Sequence, residues 1–246
     1  MQKNSSLTII GDGRVGSFLG GLTQESLVIR RGEPVPNGDG PIIVCTRNDD
    51  LEAVLHQTPK SRHSDLVFVQ NGMLNGWLQD NGIQSNTQAL LYFAISQKGD
   101  KPVDGGETVV TGKWATDFQR VLNAGEIHCS VVNMKKYKEV MAEKFLWICT
   151  MGVMGSALKC GVGEIVQKHP ENVRELCAEL GAITEKGLKM TLADGWVERL
   201  EAYSLSIPSY QASLKEWSWR NGWLWEQKNS PIHHLFLKRA KVKSLG

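Results

Sequence analysis

Short apolar runs divided by polar, glycine-bearing stretches fill the first half of the chain, whereas helical periodicities without strand signals fill the second. LTII at 7–10, LVI at 27–29, IIVC at 42–45, LVFV at 66–69 and the run 89–95 are apolar and β-rich, and each is too short for a buried helix, so they are read as strands. NDDLEAVL from Asn48 begins with an N-cap residue and an acidic first turn, which predicts a helix. GEPVPNGDGP at 32–41 reads as loop. TVVTG at 108–112, a helical ATDFQRVLNAG and a strand-like IHCSVV at 127–132 complete this half. Strands alternating with helices predict an α/β unit over 1–133 built on a parallel sheet with crossover helices, followed by an all-helical unit over 134–246. With no repeat and no flexible linker, the two halves are expected to pack tightly.

The first strand runs directly into GDGRVG. Gly11, Gly13 and Gly16 at a strand-to-helix junction permit a tight turn and let a pyrophosphate approach the N–H groups of the helix end. About twenty residues past the first glycine, an NAD-binding unit carries an acidic residue for the ribose 2′-hydroxyl. Arg30 and Arg31 stand there instead, at the carboxyl end of the second strand, and two cations suit a 2′-phosphate. NADP(H) is therefore the expected cofactor, with Glu33 the one acid near enough to argue for the unphosphorylated coenzyme. The bound pyridine is expected at the carboxyl ends of the strands, facing the helical half.

Composition adds exclusions. With 28 basic and 26 acidic residues the net charge is +2, so nothing in the balance points to nucleic acid or an anionic membrane. The basic run Lys238, Arg239, Lys241 and Lys243 reads as a solvated last helix or tail. FLWICTMGVMGSAL at 145–158 is shorter than the ~20 residues of a bilayer span and carries glycines, which predicts a buried helix. The five cysteines, an odd number without a CxxC pair, read as reduced core thiols. The histidines show no metal-ligand spacing, so no metal is expected. Six residues precede the first strand, which leaves no room for a leader and makes the cytoplasm the expected location.

Three polar residues stand out as candidate chemistry. On a helix, the neighbours of Lys144 at three, four and seven residues are all apolar or aromatic, so its ammonium either snorkels to solvent or is desolvated and becomes a proton donor. Asn71, in QNGM after the fourth strand, is either a simple Asn-Gly turn or an amide aimed at a bound coenzyme or substrate. Glu216, if helical, shares a face with Ser209, Ala212 and Ser213 that a ligand could reach; otherwise it pairs with Arg220. Trp217, Trp219, Trp223 and Trp225 cluster nearby and read more readily as packing, including the interface of a homodimer, than as a substrate platform.

In order and spacing, GDGRVG, QNGM, EKFLWICTMGVMGSALKCGVGE and KEWSWRNGW resemble the ketopantoate reductase family over nearly the whole chain. The resemblance implies an N-terminal Rossmann NADPH-binding domain and a helical C-terminal domain of the 6-phosphogluconate dehydrogenase C-terminal-like type. It also implies reduction of a small 2-oxo acid to a 2-hydroxy acid. The family's catalytic lysine falls on Lys144, its active-site glutamate on Glu216, its cleft asparagine on Asn71 and its substrate-binding serine on Ser209. Its cofactor contacts fall on Gly11, Gly13, Gly16 and Arg30, with Arg14, Val15, Arg31, Asn71 and, after the third strand, Arg47 completing the expected set. Two departures alter the substrate pocket: Ile148 and Gly152 occupy positions where the family has asparagines, so a hydrocarbon and a void are expected there. The competing reading is a non-catalytic NADP(H)-binding protein whose altered pocket serves a regulatory ligand or a partner.

Overall fold

In the computed structural model, which describes residues 7–23, 25–30, 32–105, 108–227 and 230–242, the chain divides into two compact units at Tyr137–Lys138. The first unit is a seven-stranded sheet. Its strands are β1 (Thr8–Ile10), β2 (Leu27–Ile29), β3 (Ile42–Val44), β4 (Leu66–Phe68), β5 (Thr87–Leu90), β8 (Thr108–Thr111) and β9 (Cys129–Val131), with β6 (Phe93–Ala94) and β7 (Val103–Asp104) forming a separate hairpin. The helices of this unit are α1 (Arg14–Gly21), α2 (Leu51–Gln57), α3 (Asn75–Asp80) and α4 (Ala115–Ala124).

The strand order is β2-β1-β3-β4-β5-β8-β9, so the chain reverses direction across the sheet on either side of β1. Such a switch point opens a crevice at the strand's carboxyl end, and Gly11 stands there. β1, β3, β4 and β5 are buried along almost their entire length, as continuous apolar runs in a covered parallel sheet must be. The expected all-parallel sheet is corrected at one place. β5 and β8 pair antiparallel, because the chain between them folds as the β6–β7 hairpin and has no crossover helix to bring it back in the same direction. The predicted run 89–95 is accordingly broken into the end of β5 and the start of that hairpin.

A polar cluster that the apolar pattern does not announce secures the opposite end of the sheet. Arg62 is 3% exposed and donates from Nε to Asp65 Oδ2 (3.2 Å), from Nη1 to Pro36 O (3.2 Å) and from Nη2 to Gly40 O (2.7 Å). Asp65 Oδ1 also accepts from Lys113 Nζ (2.9 Å) and Trp114 Nε1 (3.2 Å). One buried ion pair thus ties the 36–40 loop, the start of β4 and the start of α4 together.

The second unit is helical: α5 (Met134–Leu158, which begins in the first unit), α6 (Val162–Lys168), α7 (Pro170–Leu188), α8 (Trp196–Ser206), α9 (Asn221–Glu226) and α10 (Pro231–Arg239). The apolar stretch 145–158 lies in α5 and buries Phe145, Leu146, Cys149, Met151, Val153 and Met154. Among the described residues no single helix is long and apolar enough to cross a membrane. Proline opens both α7 and α10, where its missing N–H costs nothing. Glu179 of α7 supplies the cap that α10 lacks, accepting from Ile232 N (3.0 Å) and His233 N (2.8 Å).

Removing the Arg62 side chain would leave the Pro36 and Gly40 carbonyls without their donor while Lys113 and Trp114 still hold Asp65, a loss of ~1–3 kcal/mol. Arg62→Ala is therefore expected to lower unfolding stability by about that amount in urea titration, with no change in the affinity for any ligand bound at the carboxyl ends of the strands.

Candidate active site

In the first unit the glycine loop has the form that a pyrophosphate requires. Gly11 adopts φ +105°, a conformation that L side chains rarely take. A Cβ on Gly16 would lie 1.8 Å from Gly11 O, so α1 can pack this close to the loop only as glycine. Gly13, by contrast, faces open space. It caps α1 in extended conformation without a side-chain hydrogen bond, which leaves the first helical N–H groups for an anion. These residues fit a dinucleotide phosphate.

The cations around this loop are distributed less freely than the sequence suggests. Arg14 donates to Ile95 O (3.0 Å) and Ser96 O (3.1 Å), tying α1 to the hairpin segment. Lys98 reaches back and donates to Asp12, both to its carboxylate (2.8 Å) and to its carbonyl (3.0 Å). Lys98 and Ser17 hold the Asp12 carboxyl below the usual carboxylate range. Arg30 is exposed, and its Nε lies 3.9 Å from Asp12 Oδ2. Glu33 curls back to accept the backbone N–H of Arg30 (2.7 Å). Val15 is partly buried in the first turn of α1, and Arg47 is exposed just past β3. Arg31 lies outside the described residues.

Asn71 follows β4 and is held by its neighbours. Gln70 donates to Val44 O (2.8 Å) and Thr46 O (3.1 Å), Asn48 donates to Asn71 O (2.9 Å), and Gly72 turns the chain with φ +116°. The Oδ1 of Asn71 is buried without a hydrogen-bond partner. An orphaned buried acceptor costs roughly 1–3 kcal/mol, a loss that a ligand donor would offset.

In the second unit Lys144 lies on α5, half-buried. Of its apolar row, Tyr137, Met141 and Met151 are buried, whereas Val140, Trp147 and Ile148 are partly exposed. Burial, with the Arg220 guanidinium as the second cause, brings the pKa of Lys144 down to about 7. A simple snorkelling lysine would keep its ordinary value.

Glu216 is not on a helix, which corrects the expected shared face with Ser209, Ala212 and Ser213. Residues 207–216 run without helix or strand as a strap along α5 and α6. Val162 N donates to Tyr210 O (3.0 Å), Gly163 N to Pro208 O (3.1 Å), and Leu214 N to Ser156 Oγ (2.9 Å). The strap fits because the helices present glycines: a Cβ on Gly155 would stand 2.4 Å from Ala212 O. At Gly152 the expected void is filled by the strap's own backbone, with Ser213 O 3.3 Å from where a Cβ would be and Asn221 Nδ2 at 3.8 Å. Ser209 is exposed and packs near Gly161, past the end of α5. Lys144 lies fourteen residues before that end, some 21 Å along the helix, so the structure does not bring Ser209 to the lysine.

The strap ends in a tight 3-10 turn, Trp217–Trp219, flanked by Glu216 at φ +47° and Arg220 at φ −131°, ψ −107°. That turn sets the two side chains together as a partly buried ion pair, Arg220 Nη2 to Glu216 Oε2. The Nε of Arg220 is buried and has no partner. Next in sequence, Asn221 Oδ1 lies 2.8 Å from Nε2 of fully buried His233, whose pKa burial lowers to about 4. His233 is thus neutral near pH 7 and donates from Nε2, which fixes the Asn221 amide beside Gly152. The tryptophans pack within this unit: Trp223 meets Phe145 edge-on (5.7 Å) and Trp225 stacks on His234 (4.9 Å).

No family model matches the sequence, and no curated protein matches it. Solved structures do. A ketopantoate reductase of Ralstonia eutropha JMP134 is similar at 15% identity and TM-score 0.72, covering 96% of this chain and 97% of that one. The chain has the ketopantoate reductase fold. A dimeric ketopantoate reductase from Staphylococcus aureus is similar at 15% identity and TM-score 0.70, over 96% of this chain and 97% of that one. D-mandelate dehydrogenase in complex with NADH is similar at 14% identity and TM-score 0.70, over 96% and 98%. An N-terminal Rossmann unit followed by a helical unit is the arrangement these share.

Arg220 and the Asn221–His233 pair are absent from the expected site. The spacing of Gly152, Gly155, Gly161 and Gly163 was their available signal, since glycines at such intervals on helices mark a second backbone in close approach. The folded pKa of His233 lies below its ordinary 6.5, so the folded state binds fewer protons in between. Stability is then fully present above pH 6.5 and lost as pH falls toward 4. Thermal melts should show this loss in the wild type, and His233→Gln should flatten it.

Proposed function

We propose that this protein is an NADPH-dependent reductase of a small 2-oxo acid, with Lys144 as the proton donor. The observation that carries the reading is Lys144, a partly buried lysine whose ammonium gives up its proton near neutrality, in a chain that also has a phosphate-fitting glycine loop. The fold likeness to ketopantoate reductases and to D-mandelate dehydrogenase in complex with NADH supports the same class of chemistry.

Gly11, Gly13 and Gly16 would hold the pyrophosphate, with Val15 in the first helical turn and Arg30 facing the 2′-phosphate; Arg31 and Arg47 complete the proposed cationic set. When bound, the coenzyme supplies the hydride. Asn71 would donate or accept at the substrate or the nicotinamide ribose, satisfying its orphaned oxygen. Reduction of a ketone builds negative charge on its oxygen, and a nearby ammonium stabilises that charge and then releases a proton to it. A lysine with pKa about 7 suits both halves of this task. Glu216 would orient Arg220 and the substrate. Ser209 as a substrate contact is retained only if the strap moves.

A non-catalytic NADP(H)-binding role is the second reading. It is favoured by Gly152, where strap backbone stands in place of polar side chains that would grip a substrate.

Purified protein should oxidise NADPH with members of a 2-oxo acid panel, followed by absorbance at 340 nm. Lys144→Ala should lower kcat by a hundredfold or more while leaving NADPH affinity by calorimetry within a factor of two. Because the acid form is required, kcat/KM should hold steady below pH 7 and decline above an apparent pKa of about 7. Tight NADPH binding without turnover on any carbonyl would instead favour the second reading. Gly16→Ala, with its Cβ 1.8 Å from Gly11 O, should abolish NADPH binding in the same calorimetric titration.

A further inference from the structure

We propose that Arg220 is the carboxylate anchor of the substrate site, and that it makes the site selective for a 2-oxo monocarboxylate with an apolar side chain. The inference rests on the reading that the site reduces a small 2-oxo acid, and adds which residue takes its carboxylate and what side chain it carries.

The guanidinium is built into place. Arg220 is 13% exposed at its side chain, and one edge is committed to Glu216 through Nη2. Its Nε–H is buried with nothing to receive it. A buried donor of a cation left unpaired is costly, and Glu216 beside the turn holds the left-handed φ +47°. The orphaned donor, set next to a carboxylate that already pairs with the same guanidinium, marks a geometry that a ligand acceptor would complete.

The surroundings define that ligand. Ser213 O and Asn221 Nδ2 stand 3.3 and 3.8 Å from where a Cβ on Gly152 would be, and Trp223 meets Phe145 edge-on at 5.7 Å, so the segment that carries Arg220 runs along α5 between Phe145 and Gly152. Glu216 already takes one edge of the Arg220 guanidinium, so a monoanion fits the remaining donor, whereas a second negative charge would meet the repulsion of Glu216. A planar carboxylate matches the edge of a guanidinium. Ile148 stands one helical turn beyond Lys144 and is partly exposed, offering hydrocarbon. Gly152 offers no side chain and is covered by the strap. A carboxylate on Arg220 with its 2-oxo group at Lys144 would therefore direct an apolar substituent along α5 toward Ile148.

The test compares 4-methyl-2-oxopentanoate with its methyl ester, which lacks the charge. Binding to the full-length protein in the presence of NADP+, which cannot deliver a hydride, is read by tryptophan fluorescence. The wild type should bind the acid at least thirtyfold more tightly than the ester, and Arg220→Gln should bind the two alike. Arg220→Lys keeps the charge beside Glu216 without an Nε–H, and its preference should fall at least tenfold. A wild type with no preference for the acid overturns the proposal, as does an unchanged preference in either folded variant. A general loss of folding quality would weaken acid and ester together and leave their ratio intact, so the ratio separates positioning from damage. Acid binding through Arg220 without NADPH oxidation on any carbonyl would refute the reductase reading alone. Turnover of the acid with an unaltered ratio in the variants would refute the anchor alone.

Discussion

The close approach of an extended peptide to a glycine-lined helix surface organises the second unit. A strap with no ladder of its own has to satisfy its backbone elsewhere, and residues 207–216 do so on the N–H groups that open α6 and on Ser156 of α5. A side chain at Gly155 would occupy the space of Ala212 O. Once the strap is seated, its end is seated too, and the tight turn at Trp217–Trp219 delivers Glu216 and Arg220 to the helix that carries Lys144. The charged groups of the site therefore depend on positions that carry no functional group at all.

Much of this was legible in the sequence where a pattern has a period. β1, β3 and β4 were visible because buried parallel strands are continuous apolar runs, and α5 because its length and apolar content allowed nothing else. The glycine loop was legible because its chemistry is backbone chemistry, so the residue type itself carries the message. The antiparallel turn of β8 was not, since strand direction is set by what connects two strands and the β6–β7 hairpin is only a few residues of weak signal. Helical spacing around Glu216 failed for a related reason: the strap's conformation is dictated by the α5 and α6 surfaces it lies on, and local propensity has no view of them.

The polar clusters form a third class. Arg62, Asp65, Lys113 and Trp114 are ordinary surface types far apart in sequence, brought together only by the fold. The same is true of Asn221 and His233, where one of two adjacent histidines serves as a neutral donor that fixes an amide. Such groups are recognisable from burial and partners, quantities that no single stretch of chain records.

The Asp12 carboxylate has a bearing on coenzyme choice. Its contact with Arg30 is long and largely solvated, worth little and readily screened. A phosphate with nearly two charges can take Arg30 from it, whereas a neutral hydroxyl has nothing with which to compete. Asp12, already held by Lys98 at 2.8 Å, thus does little to withhold the exposed arginine from an anionic ribose substituent.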